Sequence, residues 1–137
     1  MAIGEDELAV VLQASLDHAQ ELLQKDGGFL PFGTRAGLNG AVEFLEVEGG
    51  SGGETIDAIY SRLAVLLAED ARQREILAAA MVANASLPGE TPLTAISVQV
   101  EARGFCRSIV VPYRIESGFV RLGEMIPEEA DPIVFAA

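Results

Sequence analysis

The sequence predicts a single α+β domain. An antiparallel sheet carries two helices packed on one face, in the order α-β-β-α-β-β-β-β. Three observations lead there. Two stretches, 5–25 and one opening at 54 or 55, repeat apolar residues at helical spacing. Residues 94–103 alternate apolar and polar side chains at strand spacing. The remaining apolar runs are separated by short Gly-containing turns, the pattern of consecutive hairpins. With 137 residues, half of them hydrophobic, the chain is one domain that can build a core without disulfide or metal.

The first helix runs from Glu5 to Lys25. Leu8, Leu12, Ala19, Leu22 and Leu23 form its stripe, widened by Val11 and Leu16. Glu5, Asp6 and Glu7 suit its N-terminal dipole, and Gly27-Gly28 stops it. Phe29–Phe32 is an apolar run holding Pro31, hence an edge strand or one beginning at a bulge. The turn at 35–40 contains Asn39-Gly40, a hairpin signal, and 41–48 returns as a strand with a bulge near Leu45-Glu46. Gly49–Gly53 is a flexible connector, too short to separate domains.

The second helix begins at Glu54 or Thr55, with Ile56, Ile59, Tyr60, Leu63, Leu66 and Leu67 on its apolar face. Asp70 and Arg74 stand at a favourable spacing for an ion pair. The alanine-rich run after Arg74 has high helix propensity. Continuing the helix through it would give some 30 residues, above the usual ~20, and would leave Thr94–Arg103 without a hairpin partner. Ala78–Leu87 is therefore read as strand, joined to Thr94–Arg103 through Pro88-Gly89. Gly104 turns the chain into Phe105–Ile115, where Pro112 marks an edge, a bulge or an end. Glu116-Ser117-Gly118 turns it again into Phe119–Leu122. Ile133, Val134 and Phe135 pack back on the body. The row Ser97, Gln99, Glu101, Arg103 faces water or a polar partner.

Nine Lys+Arg against 21 Asp+Glu give a net charge of −12. Such a surface repels nucleic-acid backbones and anionic membranes. There is no basic-then-apolar leader and no apolar run of about 20 residues. A soluble cytoplasmic protein is expected. His18 and Cys106 are the single histidine and cysteine, so zinc ligation, a disulfide and a His-based triad are not expected. His18 reads as a solvated helix residue and Cys106 as a small buried one. The glycines at 49–53 lack the Lys and Ser/Thr of a phosphate loop. No metal, cofactor or catalytic residue is assigned, and the carboxylates read as a solvated surface.

Two segments stand out, FLPFGTR and VVPYR. Each joins proline, an aromatic and an arginine. If the prolines interrupt pairing, Phe32, Tyr113, Arg35 and Arg114 frame an anion-binding concavity, since guanidinium forks suit carboxylates and phosphates. The competing assignment pairs Arg114 with Glu116 or Glu43 and places the aromatics in the core. On FLPFG, Asn39-Gly40 and VVPYR, the chain resembles a family of small bacterial α+β proteins, with a Phe-x-Pro-Phe-like strand and a later Pro-Tyr-Arg strand. That resemblance implies no catalytic residues, and it supports strand over 78–87. The element order is also similar to roadblock and other profilin-like domains, although a last helix is missing. The acidity is similar to that of type III secretion chaperones. The leading function is a non-enzymatic protein-interaction module, through a partner or self-association at an open edge. The alternatives are a small-anion or small-molecule binding protein, or an enzyme, using Arg35 and Arg114, and an acidic chaperone-like protein.

Overall fold

The computed structural model describes residues 5–46, 56–73, 75–87 and 93–135. They form α1 (Glu5–Asp26), β1 (Phe32–Gly37), β2 (Val42–Glu46), α2 (Ile56–Arg72), β3 (Ile76–Leu87), β4 (Leu93–Ala102), β5 (Phe105–Glu116), β6 (Phe119–Leu122) and β7 (Ile126–Glu128). The sheet is antiparallel with spatial order β2-β1-β3-β4-β5-β6, and β7 also lies on β5. The α+β class and the expected element order hold, with β7 as an added strand. No helix of the described residues is long and apolar enough to cross a membrane. The connector at 49–53, the start of the second helix, the Asp70–Arg74 pair and the Pro88-Gly89 loop lie outside the described residues.

β3 is strand from Ile76, and it registers with β4 from Ala78↔Ala102 to Leu87↔Leu93. Its other edge pairs with β1. Chain continuity alone would favour helix in this alanine-rich run. Pairing on both edges overrides that local propensity.

The helices do not share a face, contrary to the sequence expectation. α1 covers the side formed by Ala78, Ala80, Val82, Ile96, Val98 and Val100, through Val11, Leu16, Ala19 and Leu23. α2 covers the opposite side, where Ile59, Leu63 and Leu67 meet Ala79 and Met81. The physical reason lies in β3, whose residues 76–83 are apolar at every position rather than at alternate ones. Such a run is stable only with both faces buried. Each fully buried leucine or isoleucine of α2 contributes about 1.5–3 kcal/mol of transfer free energy. Ile56 and Leu66, expected on the buried face of α2, are exposed.

β1 also departs from expectation. It begins at Phe32 and runs through Arg35, so Arg35 lies in a strand rather than a turn. Pro31 sits just before the ladder and interrupts nothing, which lets β1 pair on both edges instead of forming one edge. The bulge lies at Ala36/Gly37 against β3, not near Leu45-Glu46.

The two later turns follow local backbone chemistry. Ser117 and Gly118 have φ of 52° and 82°. Two consecutive positive φ values give the tight turn whose twist suits a two-residue hairpin. Pro112 works as a bulge partner. Its carbonyl accepts a 2.7 Å hydrogen bond from Gly123 N, so its missing N–H faces the outer chain rather than β4. From Val110 to Tyr113 is three residues on β5, while their partners Ile126 and Leu122 are four apart. The extra residue lies between β6 and β7.

His18 is not a solvated helix residue. Its ring stacks on Phe44 at 4.2 Å and meets the edge of Phe32 at 4.8 Å, and Nε2 lies 3.2 Å from Glu46 Oε1. It fastens α1 to the β1–β2 hairpin. His18→Ala is expected to lower stability by about 1 kcal/mol through the lost ring contacts. Urea unfolding checks this, and an unchanged midpoint refutes the fastening role.

Candidate functional site

The four residues expected to frame one concavity fall in separate places. Phe32 is 1% exposed in the core under α1. Tyr113 is buried on that same side, and its hydroxyl donates to Asn84 Oδ1 at 2.7 Å. Arg35 projects to the α2 side, donating to Asp70 at 2.6 Å and Glu43 at 2.9 Å. Glu43 stands directly across β1–β2 from Arg35, and the Asp70 contact ties that hairpin to α2. Hydrogen bonding to Glu43 leads the causes that raise the Arg35 pKa, against the opposing effect of burial.

Arg114 is remote from Arg35. The ladder carries Arg35 to Ala79, Glu101 and Cys106, on β5, three strands beyond β1. Three strand spacings make roughly 14 Å, and the eight residues from 106 to 114 add roughly 27 Å at right angles. The structure brings Arg114 to Arg121 instead, its direct partner across β5–β6. Arg121 Nε lies 3.2 Å from Glu116 Oε2. Among the described residues no carboxylate holds Arg114, so neither acid expected to pair with it does.

Around these arginines lies an open cleft of about 370 Å³, lined by Pro112, Tyr113, Arg114, Glu116, Arg121, Leu122 and Gly123. Gly123 lies close against Pro112, where a Cβ would stand 3.2 Å from the Pro112 carbonyl oxygen. Arg121 was missed in the sequence, yet the signal was present. A two-residue turn at 117–118 sets Glu116 against Phe119, and counting back sets Arg114 against Arg121.

Of the row Ser97, Gln99, Glu101 and Arg103, expected to face water or a polar partner, Arg103 is exposed and Ser97 and Gln99 are partly so, but Glu101 is buried. Residues 131–135 cross it as a strap. Glu101 is 0% exposed, and its carboxylate accepts N–H bonds from Ile133, Val134 and Phe135 at 2.9–3.1 Å. Gln99 Nε2 donates to both Glu101 and the Asp131 carbonyl. Arg103 donates to the Ala71 carbonyl in the last turn of α2, where the dipole favours a cation, and its guanidinium lies 5.5 Å from the Phe135 ring centre. Of the three residues expected to pack back on the body, Val134 and Phe135 do so, whereas the Ile133 side chain is exposed.

Tyr60 and Cys106 feel this buried charge. Burial pushes the Tyr60 phenol up, and Glu101 adds to it. Burial and then Glu101 push up the Cys106 thiol, which is partly exposed rather than fully buried. The unfolded chain ionises both groups first, so over that range it binds fewer protons than the folded one. The stability these two groups contribute is therefore complete below about pH 9 and falls as pH rises further. Tyr60→Phe is expected to flatten the decline above about pH 10. Urea midpoints across alkaline pH check this, and equal slopes for the two proteins refute it.

No family model, curated protein or solved structure matches this chain. The resemblance drawn on FLPFG and VVPYR thus rests on those residues alone.

Proposed function

We propose that the protein is a non-catalytic interaction module that docks a protein partner at the β5–β6–β7 end of its sheet. One observation carries this reading. Ile115, Phe119, Leu122, Met125 and Ile126 are 38–63% exposed at that end, Ile115 and Leu122 on one face of the β5–β6 pair and Phe119 on the other. Clustered exposed apolar side chains mark interaction surfaces, whereas scattered ones need no explanation. Among the described residues β6 ends the strand path, which leaves its outer backbone for strand addition. The fitting partner is an extended segment with alternating apolar side chains and no excess of basic charge, given Arg114 and Arg121 nearby. A second copy of this chain is the simplest such partner.

A photoreactive side chain at position 122, compared with one at the exposed Gln24 on α1, tests the surface. Cross-links at 122, to a second copy or to another chain, are expected and should disappear in Phe119→Asp. Sedimentation identifies the self-paired case. Cross-links confined to position 24, or none at 122 in the native extract, overturn the reading.

A further inference from the structure

We propose that the Arg114–Arg121 cleft is a binding site for a small monocarboxylate with an apolar tail. The site uses the face of the β5–β6 pair rather than its edge, so it does not depend on the docking reading.

The first argument is electrostatic. Like charges directly opposite on antiparallel strands are destabilising. Arg114 and Arg121 occupy such a pair, and among the described residues Glu116 engages Arg121 and not Arg114. Two arginines and one glutamate leave the cleft at +1 within a chain of net charge −12. In four further surface clefts carboxylates outnumber arginines. An anion is therefore drawn here, and a single negative charge balances the cleft. A dianion such as phosphate would place its second charge near Glu116.

The second argument is shape. About 370 Å³ falls within the usual size of small-ligand sites. Pro112 shares the guanidinium face and supplies apolar surface there, Leu122 lines the cleft from the Tyr113 side, and Gly123 leaves room over Pro112. A carboxylate can lie between the two planar forks while a short hydrocarbon tail covers the proline ring. The sequence expectation of an arginine anion site thus keeps Arg114 and replaces Arg35 by Arg121.

Hexanoate, acetate and inorganic phosphate serve as probes in amide and arginine Nε–H NMR spectra of the full chain. Hexanoate is expected to shift Arg114, Arg121, Leu122 and Gly123 together, and to bind about tenfold or more tightly than acetate, since each buried CH₂ adds to the affinity. Arg114→Met should weaken hexanoate about tenfold, with the rest of the spectrum unchanged because the residue is exposed. Arg121→Met should act in the same direction. No saturable shift at tens of millimolar, equal binding of acetate, tighter binding of phosphate, or full binding by Arg114→Met each overturns the proposal. The titration is made on the chain with Leu122 in place and cross-linking at position 122 on a separate variant, so failure of one does not imply failure of the other.

Discussion

Replacing Glu101 by Gln is expected to lower stability by about 2–4 kcal/mol, combining lost charge-assisted hydrogen bonds with donors left facing a donor. The carboxylate oxygens accept from three successive backbone N–H groups of the strap and from Gln99. An amide offers one acceptor and turns two N–H bonds toward those donors, whichever way it is flipped. Glu101 is fully buried, so water does not compensate while the strap stays closed. The strap should detach instead. Ile133, Val134 and Phe135 amides are expected to lose hydrogen-exchange protection, and the urea midpoint to fall. Truncation after Pro132 should cost a similar amount and should make Glu101→Gln nearly neutral. Retained protection of those amides in the Gln variant would falsify the role assigned to the carboxylate.

The second large effect lies where α2 crosses the sheet. Leu67 is 0% exposed, and a Cβ built on Gly33 would lie 3.0 Å from its Cδ1. Glycine in a central strand therefore serves close approach of the helix. Leu67→Ala is expected to cost about 2–5 kcal/mol, from lost transfer energy and the cavity left behind. Gly33→Val alone should cost about 1–3 kcal/mol, because the fully buried Leu67 must shift to admit it. Together they should cost clearly less than the sum, since the valine methyl groups enter the volume that leucine leaves. Additive losses in denaturant titrations would show that the two residues do not share that volume.

Much of the fold was legible because its signals are local. Helical spacing placed α1, alternation placed β4, and Gly104 and Ser117-Gly118 set the hairpins. The decision for strand over 78–87 came from asking what β4 pairs with. The side assignment of α2 failed although the signal was present, for the unbroken apolar run of β3 already requires two covered faces. Pro31 misled in the same local way, since a proline is harmless one residue outside a ladder.

The candidate site was half legible. Arg114 was found by its motif, but Arg35 was joined to it on similarity of neighbouring residues, which carries no spatial information. Position across strands comes from register, and register puts Arg121 beside Arg114 and Glu43 beside Arg35. The strap was not legible at all. Glu101 looked like one more outward polar residue in an alternating strand, and the donors that enclose it belong to backbone some 30 residues further along. Main-chain donors leave no trace in residue type.

The one-residue offset between β6 and β7 also bears on aggregation. An open sheet edge invites one chain after another to stack in register, and such growth becomes more favourable the longer the matching run. Here an incoming strand aligned with the four residues of β6 is out of step with β7 beyond Gly123. Its hydrogen-bond run ends after about one short strand, too little for the six- or seven-residue segments typical of amyloid. The same edge can accept a visitor held by side chains, yet it gives an indefinite stack of copies no template to lengthen.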